Sequence, residues 1–194
     1  MDPLSIGIVV GSVRPHPQRK ALPVAQWALA HAEARGDAAY ELLDLADFAL
    51  PVLDEPLPAA HGHYEHAHTR AWSERIAALD AFVIVTPEYN HSLPGPLKNA
   101  IDFLYSEWFD KAAGYISYGI DAGGARAVEH LRVVMNELRV ASVREHVALS
   151  LSADFTGDAF TPQPYQEARL GRLLEQLIAW GGALRTLRQP AATA

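Results

Sequence analysis

Apolar residues along the chain fall into two alternating periods. Residues 4–10, 40–45, 81–87, 112–119 and 144–151 are short runs dominated by Val, Ile, Leu, Ala and aromatic residues, the pattern of strands buried on both faces. Between them lie segments with helical spacing. Residues 19–35 carry Leu22, Val24, Ala25, Trp27, Ala28 and Leu29 on such a period, and Gly36 closes it. Residues 69–79, 92–105, 125–139 and 165–180 predict further helices, the second of them with Ser92 as N-cap candidate and prolines in its first turn. Residues 46–63 are rich in proline and acid and predict a long loop. There is no internal repeat and no low-complexity segment. The pattern predicts a single domain over 1–184 and a flexible C-terminal tail over 185–194.

Strand alternating with helix predicts an α/β fold: a parallel sheet with helices on both faces. Five strands in this sequence fit the doubly wound order 2-1-3-4-5. Ligands of such sheets bind outside the carboxyl ends of the strands, at the switch point between the first and third. Topology therefore brings together the loops over residues 11–18, 87–94 and 119–124.

Composition narrows the chemistry. Hydrophobic residues make up 49% of the 194 residues and charged ones 20%, a globular balance. The net charge of −7 argues against nucleic acid as a partner. The absence of cysteine excludes disulfides, thiolate metal sites, cysteine nucleophiles and iron–sulfur clusters. The N-terminal residues lack the basic and long apolar regions of a secretory signal, and no stretch has the apolar length of a membrane span. A cytoplasmic protein is the expectation.

The loop "GSVRPHPQR" leads from the first strand into a helix N-terminus, where free N–H groups and the helix dipole favour an anion. Ser12 offers a hydroxyl and Arg14 a forked guanidinium suited to phosphate, and Gln18 and Arg19 extend the shell. Neither G-x-x-x-x-G-K-[ST] nor G-x-G-x-x-G occurs, so a single terminal phosphate fits better than a triphosphate or pyrophosphate; Asp44 alone is a weak ribose ligand. In "TPEYNHSLPGPLKNAIDFL", a polar, turn-rich segment offers backbone N–H and C=O groups to a planar heterocycle, with the flat face of Tyr89 beside it. Asn90 suits amide pairing or a strained turn, and Glu88 reads as a structural carboxylate before a proton donor. Lys98 and Asp102 read as an i,i+4 surface pair. In "YGIDAGGARA", Gly123 and Gly124 allow close backbone approach to a ligand or a tight turn, and Arg126 faces a second anion or starts the helix. Trp108 and Phe109 mark either a partner surface or core packing. His61, His63, His66 and His68 read as solvent-exposed rather than as a metal site.

On "GSVR", "PEYNHSLPGPLKNAIDFL" and "YGIDAGGARA" the chain resembles the NADPH-dependent FMN reductase family, the flavodoxin-like quinone, chromate and azo reductases. The resemblance runs from about Ile6 to Leu151 and implies a flavodoxin-like three-layer sandwich. It implies that Ser12, Arg14, Gln18 and Arg19 bind the FMN phosphate, that Pro87, Glu88, Tyr89 and Asn90 lie against the flavin ring, and that Gly119, Ala122, Gly123 and Gly124 border its other edge. "PHPQR" departs from the small residues of many members. The resemblance further implies hydride transfer from NADPH or NADH through bound FMN to a small-molecule acceptor: a quinone, an azo compound, a flavin or a metal ion. No side chain is required as acid or base. It implies a homodimer or homotetramer with residues 97–108 at the interface. An FMN-binding electron carrier, or a non-catalytic flavin-binding regulatory protein, is the alternative on the same residues.

Overall fold

The computed structural model of the protein describes residues 3–13 and 19–188. Strands β1 (Ser5–Val10), β2 (Ala39–Asp44), β3 (Ala81–Pro87), β4 (Ala112–Gly119) and β5 (Ala141–Ser150) form one sheet in the order β2-β1-β3-β4-β5. Every neighbouring pair is parallel. The helices are α1 (Ala21–Glu33), α2 (Leu45–Phe48), α3 (Ala67–Ala77), α4 (Gly95–Asp102), α5 (Ala125–Glu137) and α6 (Pro164–Arg188). The expected α/β architecture and strand order are therefore those observed.

Two apolar cores sandwich the sheet. Ile6, Ile8 and Val10 of β1 point to one face with Val24 and Ala28 of α1 and Leu170, Leu173 and Leu177 of α6. Val9 points to the other face, with Trp72 and Ile76 of α3, Ile101 of α4 and Leu131 of α5. Alternation along β1 thus feeds both layers, which is why every strand at the centre of the sheet reads as continuously apolar. Trp108 belongs to the second core: it is buried, meets Phe82 edge-on at 5.0 Å, and its indole N–H donates to the Ile101 carbonyl at 3.2 Å. The partner-surface reading of Trp108 gives way to core packing. Lys98 and Asp102 pair on the surface of α4 as expected, at 2.6 Å.

Several boundaries differ from expectation by a residue or more, and four of the differences have a tertiary reason. The third helix was expected from Ser92, but α4 begins at Gly95 because Ser92 is tied back to Tyr89. Residues 46–63, expected as loop, include all but the first residue of α2, which Asp44 caps: its carboxylate accepts from Ala46 N at 3.0 Å. Strand β5 starts at Ala141 rather than 144, and its register with β4 jumps from Ala113↔Ser142 to Tyr115↔His146. This bulge frees Glu145 N and Val143 O, which are satisfied by Gln176 Oε1 at 2.9 Å and Arg132 Nη1 at 3.0 Å. Finally, α6 runs on to Arg188, so the tail expected from 185 does not begin there. Arg188 is anchored by the Asp80 carboxylate and the Asp110 carbonyl, contacts that composition cannot reveal. Residues 189–194 lie outside the described residues. A small hairpin of β6 (Phe155–Thr156) and β7 (Ala159–Phe160) follows β5 and touches α1, where Lys20 Nζ reaches the Gly157 carbonyl at 2.9 Å.

Candidate active site

The carboxyl ends of β1, β3 and β4 lie side by side, and their loops form the site. Gly11 N donates to Val85 O at 2.8 Å, so the chain leaves β1 still fastened to β3. Ser12 follows and is 3% exposed. Its hydroxyl is buried and has no hydrogen-bond partner among the described residues. Arg14 and Gln18, expected in the same shell, lie outside the described residues. Arg19 is placed beside the loop, but its guanidinium is already engaged. It grips the Asp44 carboxylate with both terminal nitrogens and donates to the Ser12 carbonyl at 2.9 Å. Val10 pairs with Asp44 across β1 and β2, and that register brings the carboxylate to the base of the loop. Arg19 therefore ties the chain entering α1 to Ser12 and to the end of β2.

Tyr118, not singled out in the sequence, also reaches this loop. Burial raises its phenol pKa, and Tyr89, Ser12 and Arg19 are the neighbours that act on it. The phenol stands near the Ser12 hydroxyl without closing a hydrogen bond to it. A strand residue facing the α1 layer gives no periodic signal of such a role.

Beyond β3 the chain makes a two-residue turn. Tyr89 and Ser92 exchange backbone hydrogen bonds at 2.9 Å each way, and Asn90 and His91 between them have φ of 51° and 66°. Positive φ at both central positions is the type I′ pattern, and Asn and His are both among the residues enriched in that left-handed region. His130 Nδ1 meets Ser92 Oγ at 2.9 Å and braces the turn from α5. The result is a stiff mount for Tyr89, whose side chain is 45% exposed.

Glu88 joins this loop to the one after β4. Its carboxylate accepts from Arg126 N at 3.0 Å and from Arg126 Nη1 at 2.8 Å. Burial pushes the Glu88 pKa up, but the Arg126 guanidinium and amide outweigh it and hold the group below the ordinary glutamate value. The structural reading of Glu88 fits this geometry, and Arg126 is spent on Glu88 rather than facing a second anion. Stability from this pair is present above the ordinary glutamate pKa and is lost as pH falls through the folded value. Glu88→Gln keeps the shape and loses the charge. We expect it to cost about 1 kcal/mol at pH 7, the difference between a charge-assisted and a neutral hydrogen bond. Urea unfolding at pH 7 and pH 4 checks this, with a smaller loss between the two for the variant than for the parent.

The loop after β4 turns at Gly123 and Gly124, with φ of 59° and 83°. Gly119 and Ala122 stand at its start; a Cβ placed on Gly119 would lie 3.6 Å from Glu88 Cβ, so this loop and the Glu88 loop touch. Ser12, Val13, Tyr89, Pro94 and Pro96 line a cavity of about 290 Å³ between the first two loops. A larger cavity of about 710 Å³ shares Val13 and Pro96 with it and is otherwise walled by Leu45, Leu50 and Val52 on one side and Asn99 and Ala100 on the other. Of the histidines expected to be solvent-exposed, His61 and His63 are exposed, whereas His66 and His68 are half-buried. His66 and His68 stack at 5.2 Å, and His68 meets Asp54 at 3.1 Å. Among the described residues, no group of three or more His, Asp or Glu is arranged to hold a metal ion, and no helix is long and apolar enough to cross a membrane.

A parallel 2-1-3-4-5 sheet with helices packed on both faces is a flavodoxin-like fold. Its structural relatives agree. A flavoenzyme NAD(P)H:(acceptor) oxidoreductase from Paracoccus denitrificans superposes with a TM-score of 0.66 over 93% of this chain and 98% of its own, at 24% identity. A sequence model of NADPH-dependent FMN reductases matches residues 4–154. The chain is 37% identical over 149 residues to a NAD(P)H-dependent FMN reductase of Schizosaccharomyces pombe, covering 76% of this chain and 73% of that one. It is 34% identical over 150 residues to a quinone reductase of Escherichia coli K12, covering 72% and 79%. The chain belongs to the NADPH-dependent FMN reductase family. It is an oxidoreductase that works with FMN and NAD(P)H.

Proposed function

We propose that this chain takes reducing equivalents from NADPH or NADH and delivers them, with the help of bound FMN, to a small oxidised molecule, a quinone foremost. The observation that carries the reading is Ser12: among the described residues its buried hydroxyl has no partner, and it stands where β1 leads into the loop before α1. Such a group is costly unless a ligand satisfies it, and the terminal phosphate of FMN is of the right chemistry. Arg14 and Gln18 join the phosphate shell on the resemblance of their loop. Pro87, Glu88, Tyr89 and Asn90 on one side, and Gly119, Ala122, Gly123 and Gly124 on the other, would hold the ring. When bound, FMN supplies the two-electron chemistry between nicotinamide and acceptor. The protein's part is positional: Tyr89 offers a flat face on a stiff turn, Glu88 and Arg126 keep two loops at a fixed separation, and Arg19 with Asp44 sets the anion loop. A quinone as acceptor is supported by the relatives named quinone reductase and 2-hydroxy-1,4-benzoquinone reductase; azo compounds, free flavin and metal ions are further acceptors of the same reading.

The proposal includes a homodimer or homotetramer working in the cytoplasm. Exposed Val52 and Leu53, held beside α4 by Asn99 hydrogen bonds to Pro51 O at 2.7 Å and from Leu53 N at 2.9 Å, support an apolar surface there for a second copy.

Anaerobic mixing tests the reading. FMN-loaded protein should lose its visible flavin absorbance on addition of NADH or NADPH, much faster than free FMN does, and regain it on addition of a benzoquinone. Binding of FMN without accelerated reduction would leave an electron carrier. Failure to bind FMN would leave a regulatory protein on the same fold.

A further inference from the structure

A buried polar relay stands behind the loop after β4. Ser117 of β4 is fully buried, and its hydroxyl donates to the Gly123 carbonyl at 2.5 Å. The same oxygen meets His146 Nε2 of β5 at 2.7 Å. Ser117 has one proton, and Gly123 O has none to give. His146 must therefore donate from Nε2, which both the imidazolium and the neutral Nε2–H tautomer can do, and the latter is the form taken here. Its surroundings favour that form: burial, with Arg132 of α5 and Arg169 of α6, pushes the pKa down to about 4 against a smaller opposing effect of Glu145.

The relay depends on the β5 bulge, which opposes His146 to Tyr115 and sets its ring diagonally against Ser117. Its end point is a peptide plane. In a trans peptide the N–H points opposite to the preceding C=O. Drawing Gly123 O into the sheet turns Gly124 N–H away from it, and the buried Gly124 N lies 2.8 Å from the position of a Cβ on Gly119, where the loop after β4 begins. That amide donates to no other described residue.

We propose that His146 is a positioning residue of the flavin site: acting through Ser117, it locks the Gly123 carbonyl and thereby presents the Gly124 amide to the cofactor. The proposal rests on the reading that the loop after β4 borders bound FMN. Apart from the cofactor, the relay connects β4, β5 and the turn into one preorganised unit, so its loss leaves the fold but loosens the turn.

The experiment compares wild-type protein with His146→Leu, His146→Gln and Ser117→Ala. Each is read by FMN affinity from fluorescence quenching, by amide exchange at residues 123–125 of the apoprotein, and by melting temperature. We expect His146→Leu and Ser117→Ala to bind FMN on the order of 10-fold more weakly and to exchange faster at 123–125. His146→Gln, which keeps an N–H donor, should stay within about 3-fold of wild type. Unchanged affinity in both donor-loss variants, while wild type binds FMN, overturns the proposal. So does a His146→Gln affinity as poor as that of His146→Leu, since the site would then need the imidazole's packing and not its N–H. If His146→Leu fails to fold, Ser117→Ala decides. A wild-type protein that ignores FMN brings down the flavin reading itself, and the relay proposal with it, before any variant is compared.

Discussion

Gly124→Val should destabilise the protein by about 2–4 kcal/mol and reduce FMN binding below detection. Gly124 sits at φ 83°, where a side chain strains the backbone, and costlier still if β-branched. Space is the second cost. A Cβ there would stand 2.8 Å from Ser117 Cβ, 2.9 Å from Ser117 Oγ and 2.9 Å from Tyr118 N. Ser117 Cβ and Tyr118 N are fixed to the interior strand β4, which pairs on both sides, and Ser117 Oγ is held by Gly123 O and His146. The turn must therefore move, and in moving it drags Gly123 O from Ser117 and Arg126 N from Glu88. Two loops lose their common brace in one step. Gly36→Val is the control. Gly36 has φ 66° with nothing within 4 Å of a built Cβ, so it pays for strain but not for collision. We expect roughly half the loss there and an unchanged flavin affinity. Chemical denaturation and flavin titration of both variants check this. A Gly124→Val protein as stable as Gly36→Val would mean that the turn is softer than its packing implies.

How much of this was legible in the sequence depended on what each residue answers to. Strands β3 and β4 were readable to their ends because both faces are buried and the apolar runs are continuous. The start of β5 was not, because the bulge at 143–145 interrupts its period and is held by Arg132 and Gln176 from two helices. The polar loops announced themselves: "PEYN" carries a turn residue, and Asn90 does take positive φ. His91 does too, and the exchange of hydrogen bonds between Tyr89 and Ser92 holds both. Arg19 read as an anion ligand by its position at a helix start, but its pairing with Asp44 depends on the β1–β2 register, which spacing along the chain does not show. Ser117 and His146 did leave a trace. Each is a polar residue inside an apolar strand, in "YISYG" and "EHVALSL", and a buried strand tolerates such a residue when it has a partner. Tyr118 left none, since a tyrosine in a strand is ordinary.

Ser12→Ala should move stability and binding in opposite directions. In the apoprotein, the Ser12 hydroxyl is buried and has no partner among the described residues, a state that costs about 1–3 kcal/mol. Alanine removes that cost and leaves a gap smaller than a water, so the apoprotein should melt no lower than wild type, and we expect it to be stabilised by up to ~1 kcal/mol. With FMN the balance reverses. A hydroxyl donating to a phosphate oxygen is a charge-assisted bond of about 1.5–3 kcal/mol, which is ~10- to 100-fold in affinity. Ligand stabilisation follows the ratio of FMN concentration to Kd, so the melting shift produced by a fixed FMN concentration should shrink in the variant even as the apo melting temperature rises. Few side-chain roles give that pair of signs. A hydroxyl that merely packed would leave the FMN shift untouched, and one that bonded within the protein would lower the apo melting temperature on removal. Either result would take Ser12 out of the phosphate shell and transfer that role to Arg14 and the rest of its loop.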